Sequence, residues 1–180
     1  MSTLDKFSKE QIRKIAGEVD EGSFTCHING ETGEVVFLMG DELLEHSGGR
    51  LDEDGEMSSD DDLADWQEEA LAEYKADKAK VDSWGDEHTI LIEKPTSRDD
   101  FKVMQAFVEK CVPEGRVKED LEEVLLRSKP FRNFSAIVEN SKFREAWFDF
   151  KQEALEDYVR ERISEYDGEE EEYDVEDEES

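Results

Sequence analysis

The sequence predicts an α+β fold. An N-terminal helix, a β-hairpin and a third strand pack against a mostly helical C-terminal half, and an acidic disordered loop and tail are appended to it. Three observations carry this reading. Apolar residues recur at helical spacing in several windows, most broadly in the last third of the chain. Two β-rich runs flank Asn29-Gly30-Glu31-Thr32-Gly33, a turn-forming sequence. Acid is also segregated: of a net charge of −30, residues 40–65 carry eleven acids against Arg50, and residues 166–180 carry ten acids and no base. The other 139 residues share −10, which is ordinary for a folded chain. With 180 residues, the expectation is one domain over 1–165, interrupted by a mobile acidic loop at about 41–60 and followed by a disordered tail at 166–180.

Taken in order, Ser8-Lys9-Glu10-Gln11 has the form of a capping box. Ile12, Ile15, Ala16 and Val19 then follow helical spacing, so 9–20 reads as an amphipathic helix ended by Gly22. In Ser23–Asn29, Phe24, Cys26 and Ile28 alternate with Ser23, Thr25 and His27. Val35-Val36-Phe37-Leu38 supplies the partner strand of a hairpin, with His27 on its polar, surface-facing side. Residues 40–62 read as a loop, apart from a brief helical turn at Leu43-Leu44. A helix over about 61–82 follows, with Asp60–Asp62 at its N-terminus and Leu63, Trp66, Ala70, Tyr74 and Val81 inward.

His88–Ile92 reads as a third strand stopped by Pro95. Ser97-Arg98-Asp99-Asp100 caps a helix whose inner face is Phe101, Met104, Phe107, Val108 and Cys111. Residues 117–128 form another helix, with Leu121, Val124 and Leu125 inward, and Pro130 breaks it. Phe131, Phe134, Ile137 and Val138 suit a helix of one to two turns. From Asn140 or Ser141 runs the longest helix, with Phe143, Trp147, Phe150, Ala154 and Tyr158 as its stripe. Phe148, Leu155 and Val159 widen that stripe, which predicts burial against several neighbours.

Three stretches are similar to a known family. The hairpin CHINGETGEVVFL, the strand and helix ILIEKP…FKVMQAFVEK, and the segment LEEVLLRSKPFRNFSAIVENSKFREAWFDFKQEALEDYVRERI resemble the uncharacterised family UPF0158. Its members have no assigned function, so the resemblance implies a fold and no activity. Where the family pattern has an A-F-R-R-F-K-like motif, this chain reads Pro130-Phe131-Arg132-Asn133-Phe134-Ser135. Two basic positions are thus Asn133 and Ser135, which leaves only part of whatever anion-binding equipment that motif supplies.

Composition narrows the function classes. A strongly acidic chain lacks the clustered Lys and Arg of backbone-driven nucleic-acid binding, whereas it suits a basic partner or a cationic ligand. Cys26 and Cys111 are far apart and outside any C-x-x-C pairing, so they read as reduced, buried thiols of a cytoplasmic protein. No run approaches the ~20 apolar residues of a membrane span. Asp52-Glu53-Asp54-Gly55-Glu56 fails the EF-hand register, because Gly55 at the sixth position puts Arg50 at the first. His27, His46 and His88 lack metal-ligand spacing, and Ser47-Gly48-Gly49-Arg50 lacks the lysine of a phosphate loop. No cofactor, metal site or catalytic set is expected.

What remains is a basic-aromatic stretch: Arg127, Lys129, Phe131, Arg132, Phe134, Lys142 and Arg144. These residues form either an anion or partner site, with Phe131 or Phe134 as a stacking platform, or a core edge whose charges pair with Glu139 and Glu145. The functional expectation is a non-catalytic binding or regulatory protein whose acidic segments contact a basic protein. The alternative is an RNA- or DNA-binding module that uses the basic stretch and is masked by the acidic tail; an enzyme of unknown class stands third.

Overall fold

The structure, a computed structural model, describes residues 2–54, 56–59 and 62–174. The fold is α+β. The described chain divides into two compact units where length alone suggests one domain. Unit 1 runs to Lys94 and takes up the chain again from Tyr158; unit 2 is Pro95–Asp157.

Unit 1 opens with a 3-10 turn, Thr3–Lys6, and then α1, Lys9–Glu21. The capping box is formed: the Gln11 N–H donates to Ser8 Oγ at 3.2 Å, and the Ser8 N–H donates to Gln11 Oε1 at 2.8 Å. Ile12, Ile15, Ala16 and Val19 are all buried, on the side where α1 packs against β1, Phe24–Asn29. β1 is the central strand of an antiparallel sheet, between β2, Val35–Met39, and the strand Thr89–Ile92. Asn29 closes the hairpin turn by accepting from the N–H groups of Glu31 and Thr32 at 3.0 and 2.9 Å.

The acidic segment is where sequence and structure part. The stretch assigned to a mobile loop carries α2, Asp41–His46, and a two-stranded antiparallel hairpin of β3, Gly49–Leu51, and β4, Met57–Ser59. Its anchors are local. Leu44 is buried, and a Cβ at Gly49 would meet Leu44 Cδ1 at 2.8 Å and Leu71 Cδ2 at 2.7 Å, so only glycine fits there. The Asp52 carboxylate accepts from the N–H groups of Asp54 and Glu56 at 3.0 and 2.9 Å, an Asx turn that joins the strands. A count of net charge does not register such anchors.

α3 spans Asp65–Asp82, starting later than the acids at 60–62 suggest; Asp60 and Asp61 lie outside the described residues. Its inner face is Leu71, Tyr74 and Val81, packed with Val36, Leu38 and Leu44. Trp66, expected inward, is 55% exposed, because it sits in the first turn and off the face centred on Tyr74. The Thr89–Ile92 strand is β5. Paired residues of neighbouring strands share a face, so His27, opposite Val36 and Leu91, lies on the side that α3 covers. It is half-buried and not a surface residue, and burial lowers its pKa.

Unit 2 is helical: α4, Ser97–Cys111; α5, Arg116–Leu125; α6, Pro130–Glu139; and the start of α7, Arg144–Asp174. The cap of α4 is Thr96, one residue before the expected Ser97. Its hydroxyl and N–H both donate to the Asp99 carboxylate, which holds that carboxyl below the usual range. The core joins Met104, Phe107, Val108 and Val112 to Leu121, Leu125, Phe134, Val138 and Trp147. Trp147 meets Phe134 and Phe107 edge-on at centroid distances of 4.9 and 5.2 Å.

Two inward assignments fail in this unit. Cys111, the last residue of α4, is exposed, and Val112 takes the buried position beyond it. Phe148 is 45% exposed, since Trp147 occupies the core-facing side of the same turn. α7 begins at Arg144, after Ser141 Oγ has accepted the Phe143 N–H at 3.1 Å. The helix runs past Asp167-Gly168, where sequence places a disordered tail. Asp167 is held there by the N–H and hydroxyl of Thr3, at 3.0 and 2.6 Å. The rest of that expectation, residues 175–180, lies outside the described residues.

Candidate functional site

Charge separates along the same division as the fold. Unit 2 holds 11 bases and 14 acids, a net of −3, which leaves −27 of the total −30 to unit 1. Within unit 1 several bases are spent on local pairs: Lys78 with Asp82 at 2.7 Å, Lys80 with Glu34, and Arg162 with Glu165 at 2.6 Å. The segment from α2 to the start of α3 contains Arg50 as its single base. Asp41, Glu42, Glu45, Asp52, Glu53 and Asp54 are exposed along it.

A cleft of about 380 Å³ opens beside α2, between its first turn and the end of α1. Glu21, Gly22 and Ser23 line one side and Gly40, Asp41, Glu42, Leu43 and His46 the other. Its two walls are tied by the Gly40 N–H donating to the Ser23 carbonyl at 2.8 Å. His46 extends the site outward: its ring lies 6.4 Å from that of Trp66, centroid to centroid, and its carbonyl accepts from Gln67 Nε2 at 3.5 Å. The result is an acid-lined cleft with an exposed indole at its rim. Such a surface favours cations twice, through carboxylates and through the negative face of the ring.

The basic-aromatic stretch in unit 2 is less uniform than its sequence. Phe134 is fully buried in the core and cannot be a stacking platform. Phe131 is 41% exposed. Arg127, two residues beyond the end of α5, pairs with Glu123 in the last turn of that helix, and not with Glu139 or Glu145. Lys142 lies over the Phe143 ring at 5.2 Å and Arg144 over the Phe148 ring at 5.0 Å, so both cations rest on aromatic neighbours. Lys129 and Arg132 are exposed and have no ion-pair partner among the described residues. Asn133 donates from Nδ2 to the Ser128 carbonyl at 3.1 Å and ties down the α5–α6 turn.

Sequence reasoning missed the Trp66–His46 pair and the cleft. The available signal was the hairpin chemistry of Asp52–Glu56, which would have shown an ordered acidic segment. The two thiols differ: burial pushes Cys26 up to about 12, and Cys111 is exposed. Among the described residues, no group of three or more His, Cys, Asp or Glu is placed to hold a metal ion. No described helix is long and apolar enough to cross a membrane.

A family model described as an uncharacterised protein family, UPF0158, matches residues 73–171. That span takes in most of α3, β5, all of unit 2 and most of α7, and it leaves out the hairpin and the acidic segment. No curated protein and no solved structure matches the chain.

Proposed function

The chain belongs to UPF0158, an uncharacterised family, and from this starting point we propose that it is a non-catalytic binding protein whose acidic unit 1 engages a basic partner segment in the cytoplasm. The observation that carries the reading is the combination at α2 and α3: an acid-lined cleft, a net charge of −27 on its unit, and Trp66 exposed beside His46. A lysine- or arginine-rich peptide would place one cation over the indole and its neighbours against Asp41, Glu42 and Asp65. The cation–π contact contributes about 0.5–1 kcal/mol at an exposed ring. The larger share is long-range attraction, which speeds association and is screened beyond about 10 Å at ordinary ionic strength.

The test is fluorescence anisotropy with a labelled oligo-lysine or oligo-arginine peptide, at low and at moderate salt. Binding should weaken steeply with salt, weaken about two- to fivefold in Trp66→Ala by loss of the cation–π contact, and fall further when Asp41, Glu42 and Asp65 become amides. Equal binding by all three proteins would mean that the acids act only as solubilising charge.

A further inference from the structure

We propose that the turn between α5 and α6 is a second docking surface, in unit 2, for an acidic peptide segment that carries apolar side chains. The motivating residue is Leu126. It is 89% exposed at the end of α5, although Leu125 beside it is buried in the core. A lone exposed leucine needs no explanation. Here, however, Phe131 is also exposed five residues on, and the chain between them supplies Arg127, Lys129 and, just beyond, Arg132. Residues 126–133 hold three bases and no acid, inside a chain with a net charge of −30. Two exposed apolar side chains within a run of three bases complement an acidic segment bearing leucine or phenylalanine.

The turn is built to hold its shape. Leu126 and Arg127 donate their N–H groups back to Glu123 and Val124, at 3.1 and 3.2 Å. Asn133 bonds back into the turn from its side chain, to the Ser128 carbonyl at 3.1 Å, while its N–H makes the first helical bond of α6, to the Lys129 carbonyl at 3.3 Å. Lys129 adopts φ 56° and ψ 50°, a left-handed conformation that a residue with a Cβ holds only at a cost. Beneath the turn, Leu125 and Phe134 belong to the unit 2 core. Leu126, Lys129, Phe131 and Arg132 are therefore displayed on a rigid frame, which lowers the ordering cost of binding.

The same surface suits a nucleic acid poorly. Phosphate-driven binding grows with the number of cations engaged. Three are offered here, Arg127 already faces Glu123, and the whole chain repels a polyphosphate at range. Of the two apolar anchors only Phe131 has a face on which a base stacks. Short acidic peptides feel less of that repulsion and gain from burying both apolar side chains.

The experiment uses the full chain and two labelled probes: a twelve-residue peptide of alternating Glu or Asp with Leu and Phe, and a single-stranded thymidine oligonucleotide of equal length. The peptide should bind, and Leu126→Ala and Arg132→Ala should each weaken it by about fivefold or more, as expected for interface anchors. Both side chains are exposed, so the melting temperature should not move. Trp66→Ala should leave peptide affinity unchanged, which separates this surface from the acidic cleft in unit 1. Failure of the peptide to bind, indifference to both substitutions, or tighter binding of the oligonucleotide each overturns the proposal.

Discussion

The ring of Tyr166 lies directly across Gly30, so close that a Cβ built on that glycine would fall inside van der Waals contact of three ring carbons. Gly30 therefore serves the hairpin turn and also admits the C-terminal helix to its place over that turn. Tyr166 is buried, and its hydroxyl reaches His88 Nδ1 at 3.4 Å. Lys6 adds a bond from Nζ to the Gly30 carbonyl at 2.6 Å.

Gly30→Ala should accordingly destabilise the chain by about 1–3 kcal/mol through overpacking. Combining it with Tyr166→Ala should cost less than the sum of the two single changes, because the second substitution removes the clash introduced by the first. Urea unfolding of the four proteins measures this coupling. Strict additivity would mean that the ring and the glycine do not share the space.

Trp147 is the centre of the unit 2 core, in edge-on contact with both Phe107 and Phe134. Trp147→Ala should cost about 3–5 kcal/mol, the usual range for a buried aromatic truncated to alanine. Thermal unfolding followed by circular dichroism tests this; an unchanged transition would refute the placement of Trp147.

The thiols should differ in chemistry. A maleimide probe at neutral pH should label the native chain once, at Cys111, and label it twice after denaturation. Burial raises Cys26 from about 9 to about 12, so the folded chain holds this proton to higher pH than the unfolded chain. The stability linked to it is complete below pH 9 and is lost as pH rises from 9 toward 12. Cys26→Ala should flatten that alkaline decline in urea midpoints measured between pH 8 and 10.5.

The elements most legible in the sequence were those with a strong internal period and a local stop signal. α1 has its capping box and the Ile12–Val19 stripe, and the hairpin has Asn29-Gly30 between alternating strands. α6 and α7 announce themselves by Pro130 and the aromatic repeat. What escaped depends on contacts between distant segments. Leu71, not Trp66, faces the sheet because Val36, Leu38 and Leu44 lie where its side chain points. His27 sits on a face that reads as polar until α3 covers it. The acidic segment folds through Leu44, Gly49 and the Asp52 turn, three small anchors in a stretch whose charge suggests a solvated loop. In the basic stretch, composition identified the cations, whereas only packing shows that Phe134 is core and Phe131 is exposed.

Binding of basic segments at the α2–α3 face of unit 1, as proposed, is tested by titrating the isotope-labelled chain with an oligo-lysine peptide and following amide and indole chemical shifts. Saturable shifts should be confined to Glu21–Ser23, Asp41–His46, Asp65 and the Trp66 indole, with Leu126, Phe131 and Arg132 unmoved. Shifts spread evenly over every acidic residue, or none at the Trp66 indole, would contradict it.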